Sequence, residues 1–231
     1  MTHITHPYAH RLGIIRDWKS RWFATDKKQF RENIKIDNAI RVFLTKELRG
    51  AYVALIEIER TATELRVFVH TSRPGLVIGR SGEQATKLRA KITKLVASIA
   101  PQHNRTVKFD ITEIRQPETQ AAIVAYMVVE SLEKRMPFRR VMKQTVEKVM
   151  AVRDVVGVRI AISGRLGGAD MSRKESIKKG RIPLQTFRAD IDFAYERANL
   201  PYGVIGIKVW VYRGSTYVTQ AGINGVTRSQ A

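Results

Sequence analysis

The chain has no cysteine, which excludes disulfides and thiolate metal sites. It has no apolar run long enough to span a bilayer. His3, His6, Pro7 and His10 stand where a secretory leader would need an apolar core, so no leader is expected and cytoplasmic residence is the default expectation. Acidic residues are scarce: 21 Asp and Glu face 41 Lys and Arg, a formal charge of +20. A folded chain that basic repels itself unless a polyanion neutralises it. Nucleic acid is therefore the first expected partner, and the missing apolar run argues against a membrane.

Catalytic and cofactor signals are also lacking. No Gly-x-x-x-x-Gly-Lys-Ser/Thr loop offers ATP a seat, and Gly164 to Gly168 is not followed by the required Lys-Ser/Thr. His3, His6 and His10 do not have the spacing of a helical ligand pair with a third ligand, and Pro7 interrupts them. His70 and His103 are isolated. Asp190 and Asp192, two apart on an extended segment, share a face and could be read as an acid/base pair. Arg188 is on that face too, so a structural ion pair is the preferred reading. No enzyme, metal or cofactor is expected.

What is present is enough for packed cores: 231 residues, 44% hydrophobic, fill one large or two small domains. Residues 1–27 read as an irregular basic arm in which Trp18, Trp22 and Phe23 sit among Lys19, Arg21, Lys27 and Lys28. Such rings either stack on RNA bases or pin the arm to the body. A helical period covers 28–48, and Gly50 stops it. Strands are expected at Ala51 to Arg60, Glu64 to Thr71 and around Val107 to Ile111. Pro117 marks a domain boundary. Beyond it come a helix over 118–135, a second helix from Pro137, a strand from Gly157 to Ser163, a glycine-rich turn at Gly164 to Asp170, a basic stretch, an extended segment from Pro183 to Asp192 and a β-rich run from Val204 to Tyr212.

Between the second and third strands lies Gly75-Leu76-Val77-Ile78-Gly79-Arg80-Ser81-Gly82, followed by an amphipathic helix with Leu88, Ile92, Leu95, Val96 and Ile99 on one face. A glycine-framed loop opening a helix leaves free N–H groups at the positive end of the helix dipole, a geometry that binds phosphate. Gly79, Arg80, Ser81 and Gly82 are the candidate contacts. A second candidate is Arg139, Arg140 and Lys143, which span an arc of roughly 100° on their helix. No carboxylate is nearer in sequence than Glu147, so the three cations either form a solvated face or hold an anion. Arg11, Arg21, Arg165, Arg173, Lys174, Lys178, Lys179 and Arg181 are candidates for RNA-backbone contact.

The order helix, strand, strand, Gly-x-x-Gly, helix, strand resembles a KH domain of the type II order, which clamps about four nucleotides. Further motifs stand in register. His6-Pro7 with Arg11-Leu12-Gly13-Ile14, Leu44-Thr45-Lys46-Glu47-Leu48, Arg73 to Gly79 and Phe138-Arg139-Arg140 resemble the bacterial small-subunit ribosomal protein S-three family. So do Ser163 to Ala169, Gly180 to Leu184, Arg188 to Asp192 and Tyr202 to Trp210, so the resemblance covers roughly residues 5–213. Ala9 departs from the glycine common in that family, and the first residues lack its lysines.

The resemblance implies an α+β fold of two domains: a type II KH domain over 28–116 and a C-terminal α/β domain over 117–213, with two helices on a mixed sheet. Residues 214–231 are expected to form a disordered tail. It implies a structural constituent of the small-subunit head that binds small-subunit rRNA. The partners it implies are mRNA, the proteins S-ten and S-fourteen and other small-subunit proteins. It also implies that Arg139, Arg140 and Lys143 line the channel through which mRNA enters and aid its unwinding. The alternative is a free-standing KH-domain regulator that binds mRNA.

Overall fold

The computed structural model describes residues 5–61, 63–100 and 106–216. His3, His103 and the tail beyond residue 216 lie outside the described residues. In chain order the elements are α1 (Pro7–His10), β1 (Ser20–Arg21), α2 (Lys27–Glu47), β2 (Val53–Arg60), β3 (Glu64–Thr71), α3 (Pro74–Ile78), α4 (Glu83–Ile99) and β4 (Thr106–Glu113). Then follow α5 (Ala121–Glu133), α6 (Phe138–Met150), β5 (Gly157–Gly164), β6 (Arg173–Gly180), β7 (Ala189–Leu200) and β8 (Gly203–Ser215). They form two compact units. One is Trp18–Arg115; the other joins the chain up to Asp17 to the chain from Gln116 onward.

The first unit is a sheet of order β1-β2-β3-β4. It is mixed: β2 and β3 are antiparallel, while β1 runs parallel to β2 and β4 parallel to β3. Asp26 caps α2 by accepting from the Lys28 N–H at 3.2 Å. From α2, Ile36, Ile40 and Leu44 are fully buried, and from α4 Ile92 is. They pack with Ile58, Leu65, Val67 and Val69 of the strands into one core. A buried polar knot sits beside it. Arg60 donates to the Asn33 side chain at 3.0 Å and pairs with Asp37, while the Trp22 ring N–H donates to Asp37 at 2.8 Å. Trp22 also packs on Phe30, so this ring pins its segment to the body of its unit.

In the second unit the sheet order is β6-β5-β8-β7, and every pairing is antiparallel. The mixed sheet expected here is therefore corrected; the mixed sheet is the one in the first unit. Hairpin connections explain the difference, since short links join β7 to β8 and β5 to β6, and no helix crosses between them. Val158, Ile160 and Ile162 of β5 and Ile207, Val209 and Val211 of β8 point to α5 and α6, whose Val124, Val128, Met142 and Val146 complete the core. Asp192 accepts from the Ala121 N–H at 2.8 Å and so holds the first turn of α5. At the β5–β6 margin Gly157 pairs with Gly180. A side chain at Gly157 would meet the Arg181 carbonyl at 1.9 Å, so only glycine permits that approach.

Three expectations change. The irregular arm contains α1 and β1, and it is divided between the two units. The basic stretch at 173–180 is a strand, β6, and the extended segment begins as turns before β7 runs from Ala189 to Leu200. Asp190 pairs not with Arg188 but with Arg16 at 2.6 Å and Arg213 at 3.2 Å. A register shift between Ala189 and Ile191 separates its role from that of Asp192.

Candidate nucleic-acid interface

Four exposed basic features emerge from these elements, and they differ in how the local fold builds them. The glycine loop is a backbone site. Val77 of α3 is fully buried and anchors the approach, while Leu76 and Ile78 remain exposed beside the loop. Gly79 then takes φ +73° and ψ −175°, a region that a side chain would strain. Ser81 and Gly82 are left-handed, at φ +52° and +77°. Gly82 is the residue that opens α4, and it has no side chain to cap the first-turn N–H groups. Arg80 and Ser81 are exposed, and among the described residues no ion pair neutralises Arg80. Glu83, the one acid of the first turn, pairs with Lys87 at 3.3 Å. The loop therefore brings a helix N-terminus that no side chain caps together with a guanidinium, a geometry suited to phosphate.

On α6 the site is made by side chains. Val141, Met142, Val146 and Val149 are buried, which turns Arg139, Arg140 and Lys143 outward. The sequence reading missed a carboxylate: Glu175 of β6 binds Arg139 through two hydrogen bonds of 3.1 and 3.2 Å. It also lies 3.5 Å from Arg173. The hydrogen bond from Arg139 is the main cause that lowers the Glu175 pKa, against a smaller opposing effect of desolvation. The same bond raises the pKa of Arg139. Arg139 and Arg173 both lie over the Phe138 ring, 5.6 Å from its centroid. Arg140 and Lys143 pair with no carboxylate among the described residues.

Along β6, Lys174, Lys178 and Lys179 are exposed, as is Arg181 just beyond the strand. This strand lies at the sheet edge. The fourth feature, the glycine turn, uses its cation internally. Arg165 donates to the carbonyls of Ala169 and Tyr202 and to Asp170, so it braces its own loop.

Two other candidates are already engaged. Arg21 bridges Glu59 at 2.8 Å and Glu57 at 3.1 Å. Arg11 cannot reach RNA: it is 1% exposed, and its guanidinium donates to the carbonyls of Pro7, Leu184, Thr186 and Ala189. This corrects its assignment to RNA-backbone contact. Burial lowers its pKa, Asp190 opposes that shift and Arg16 adds to it. Three of the four acceptors of Arg11 lie more than 170 residues downstream, and no sequence spacing announces them.

A mixed sheet carrying two helices, with a Gly-x-x-Gly loop between strand and helix, has the element order of a type II KH domain. Residues 39–119 match the KH domain family, and residues 128–211 match the family described as ribosomal protein S3, C-terminal domain. Among curated proteins the chain is 43% identical over 215 residues to the small ribosomal subunit protein uS3 of Clostridium perfringens, covering 93% of each. To that of Clostridioides difficile it is 42% identical over 219 residues, covering 95% of this chain and 78% of the relative. To that of Clostridium botulinum it is 41% identical, covering 95% of each. The chain belongs to the uS3 family of small-subunit ribosomal proteins, which are structural proteins and not enzymes.

Proposed function

We propose that the chain binds small-subunit rRNA in the subunit head and lines the channel through which mRNA enters, with the two units dividing the work. The family supports a place in the small subunit of the cytoplasmic ribosome. The glycine loop holds phosphates of an RNA strand through its backbone donors. The exposed cations of β6 contact rRNA backbone, and S-ten, S-fourteen and other small-subunit proteins are neighbours.

The observation that carries the mRNA role is the outward face of α6, where Arg140 and Lys143 have no carboxylate partner among the described residues. Arg139 adds a guanidinium whose only described counter-ion is the half-exposed pair with Glu175. Such a face grips a passing backbone electrostatically. It needs no nucleotide site of its own, because movement of the ribosome supplies the work of strand separation.

The test is a ribosome carrying Arg139→Ala, Arg140→Ala and Lys143→Ala together. Subunit assembly should stay intact, since all three side chains are exposed, while translation through a stable mRNA hairpin slows. Unchanged hairpin passage would refute the role.

A further inference from the structure

The sheet of the second unit has a face of which the RNA-binding features above use only the β6 edge. Helices α5 and α6 cover one side; the other side can be read as a grid from the strand registers. One row is Lys178, Arg159, Trp210 and Phe193; the next is Ser176, Ala161, Lys208 and Tyr195; the third is Lys174, Ser163, Gly206 and Arg197. His6 lies edge-on against Phe193, so the N-terminal segment touches the first row at β7. The rest is open. Five of the twelve positions are cations and none is acidic. No carboxylate pairs with Lys174, Lys178, Lys208, Arg159 or Arg197 among the described residues.

Tyr195 is the one ring left open in this field, at 45% exposure. It stands over Gly206: a side chain there would sit 3.5 Å from the tyrosine ring and its hydroxyl. Arg197 and Lys208 lie over the ring, 5.7 and 6.0 Å from its centroid, and Arg197 Nε donates to its hydroxyl at 3.3 Å. Gly206, Ser163 and Ala161 keep the surroundings low, so this face of the sheet presents a ring with two cations against it. Trp210, by contrast, is 3% exposed and roofed by Arg159 at 5.1 Å.

We propose that this face is a second RNA-binding platform, on which a base of a single-stranded rRNA segment stacks on Tyr195 while the adjoining phosphates lie on Lys174, Lys178, Lys208 and Arg197. Two arguments favour RNA over a protein partner. Lysine is depleted in protein–protein interfaces, whereas here three lysines share the face with the ring. Unpaired cations around an exposed aromatic on a flat sheet are also the features that bind single strands without base-specific bonds. The platform spans about 14 Å from Lys174 to Arg197, three strand spacings, enough for a short run of nucleotides and not for a duplex groove. The inference rests on the reading that the chain binds rRNA.

The experiment places a photo-crosslinker at the ring, Tyr195→p-benzoylphenylalanine, in the full chain assembled into small subunits, with Arg80→p-benzoylphenylalanine as a parallel probe. Irradiation, digestion and mass spectrometry identify the adduct. An rRNA adduct at position 195 is the expected result. A peptide adduct, or none, at 195 with an RNA adduct at 80 overturns the platform and leaves rRNA binding standing; no RNA adduct at either overturns both. In solution, with the glycine loop weakened by Arg80→Glu, Tyr195→Ala should lower affinity for a labelled 12-nucleotide oligo(U) by about 5- to 100-fold, and Tyr195→Phe should not. Equal binding by all three overturns the stacking role.

Discussion

Both sheets turn one face away from their helices, and the two faces handle charge in opposite ways. In the first unit that face is neutralised in place. Arg21 bridges Glu57 and Glu59, Glu64 holds Arg66 at 2.7 Å and Lys108, and His70 approaches Glu57 at 3.6 Å. Hydrogen bonds from Lys108 and then Arg66 lower the pKa of Glu64 accordingly. In the second unit the corresponding face carries cations and no acid. Both faces carry lysines and arginines, so the presence of cations does not by itself mark an RNA surface. What marks it is whether the strand register brings carboxylates opposite them.

The largest expected effect belongs to a cation used inside the protein. Arg11→Met should strand two buried and two part-buried carbonyls and destabilise the second unit by about 3 kcal/mol, visible as a lower urea midpoint. An unchanged midpoint would mean that the buried guanidinium is dispensable. Next comes the contrast between the two faces. Lys174→Ala, Lys178→Ala and Lys208→Ala together should flatten the salt dependence of RNA binding by roughly 2 in log–log slope, near 0.7 per lost contact. The same measurement on Arg66→Ala with Lys108→Ala should show almost no change; equal slopes for both sets would erase the distinction.

The smallest effect concerns the Arg139–Glu175 pair. The Glu175 pKa lies below its ordinary value of 4.5. The pair's contribution is therefore full above that value and is lost as pH falls through the lowered pKa. Carboxyl NMR should show Glu175 titrating below an ordinary glutamate, and Arg139→Gln should bring it back. Glu175→Gln should in turn free Arg139 and modestly tighten RNA binding.

Much of the first unit could be read in the sequence. Its helices alternate apolar residues at helical spacing, its strands alternate at period two, and the glycine loop falls where the strand–helix order needs it. The second unit was harder for local reasons. In β6 the inward residues are Arg173, Glu175, Ile177 and Lys179, so a strand over the helix side of the sheet carries only one apolar residue. Its alternation is invisible to hydrophobicity. The site residues split the same way. Gly79 to Gly82 and α6 are local patterns and were recognisable. Glu175 against Arg139, the burial of Arg11 and the grid around Tyr195 depend on partners far along the chain, which only the register brings together.

The central claim is that this uS3-family chain meets RNA through its unpaired cations and not through its paired ones. A residue-level map of protein–RNA crosslinks in the assembled small subunit tests it most directly. The account predicts crosslinks at residues 79–82, 139–143 and 174–181, with few at Arg21, Arg66 or Lys108. Crosslinks concentrated on that paired face, with 139–143 and 174–181 silent, would contradict it.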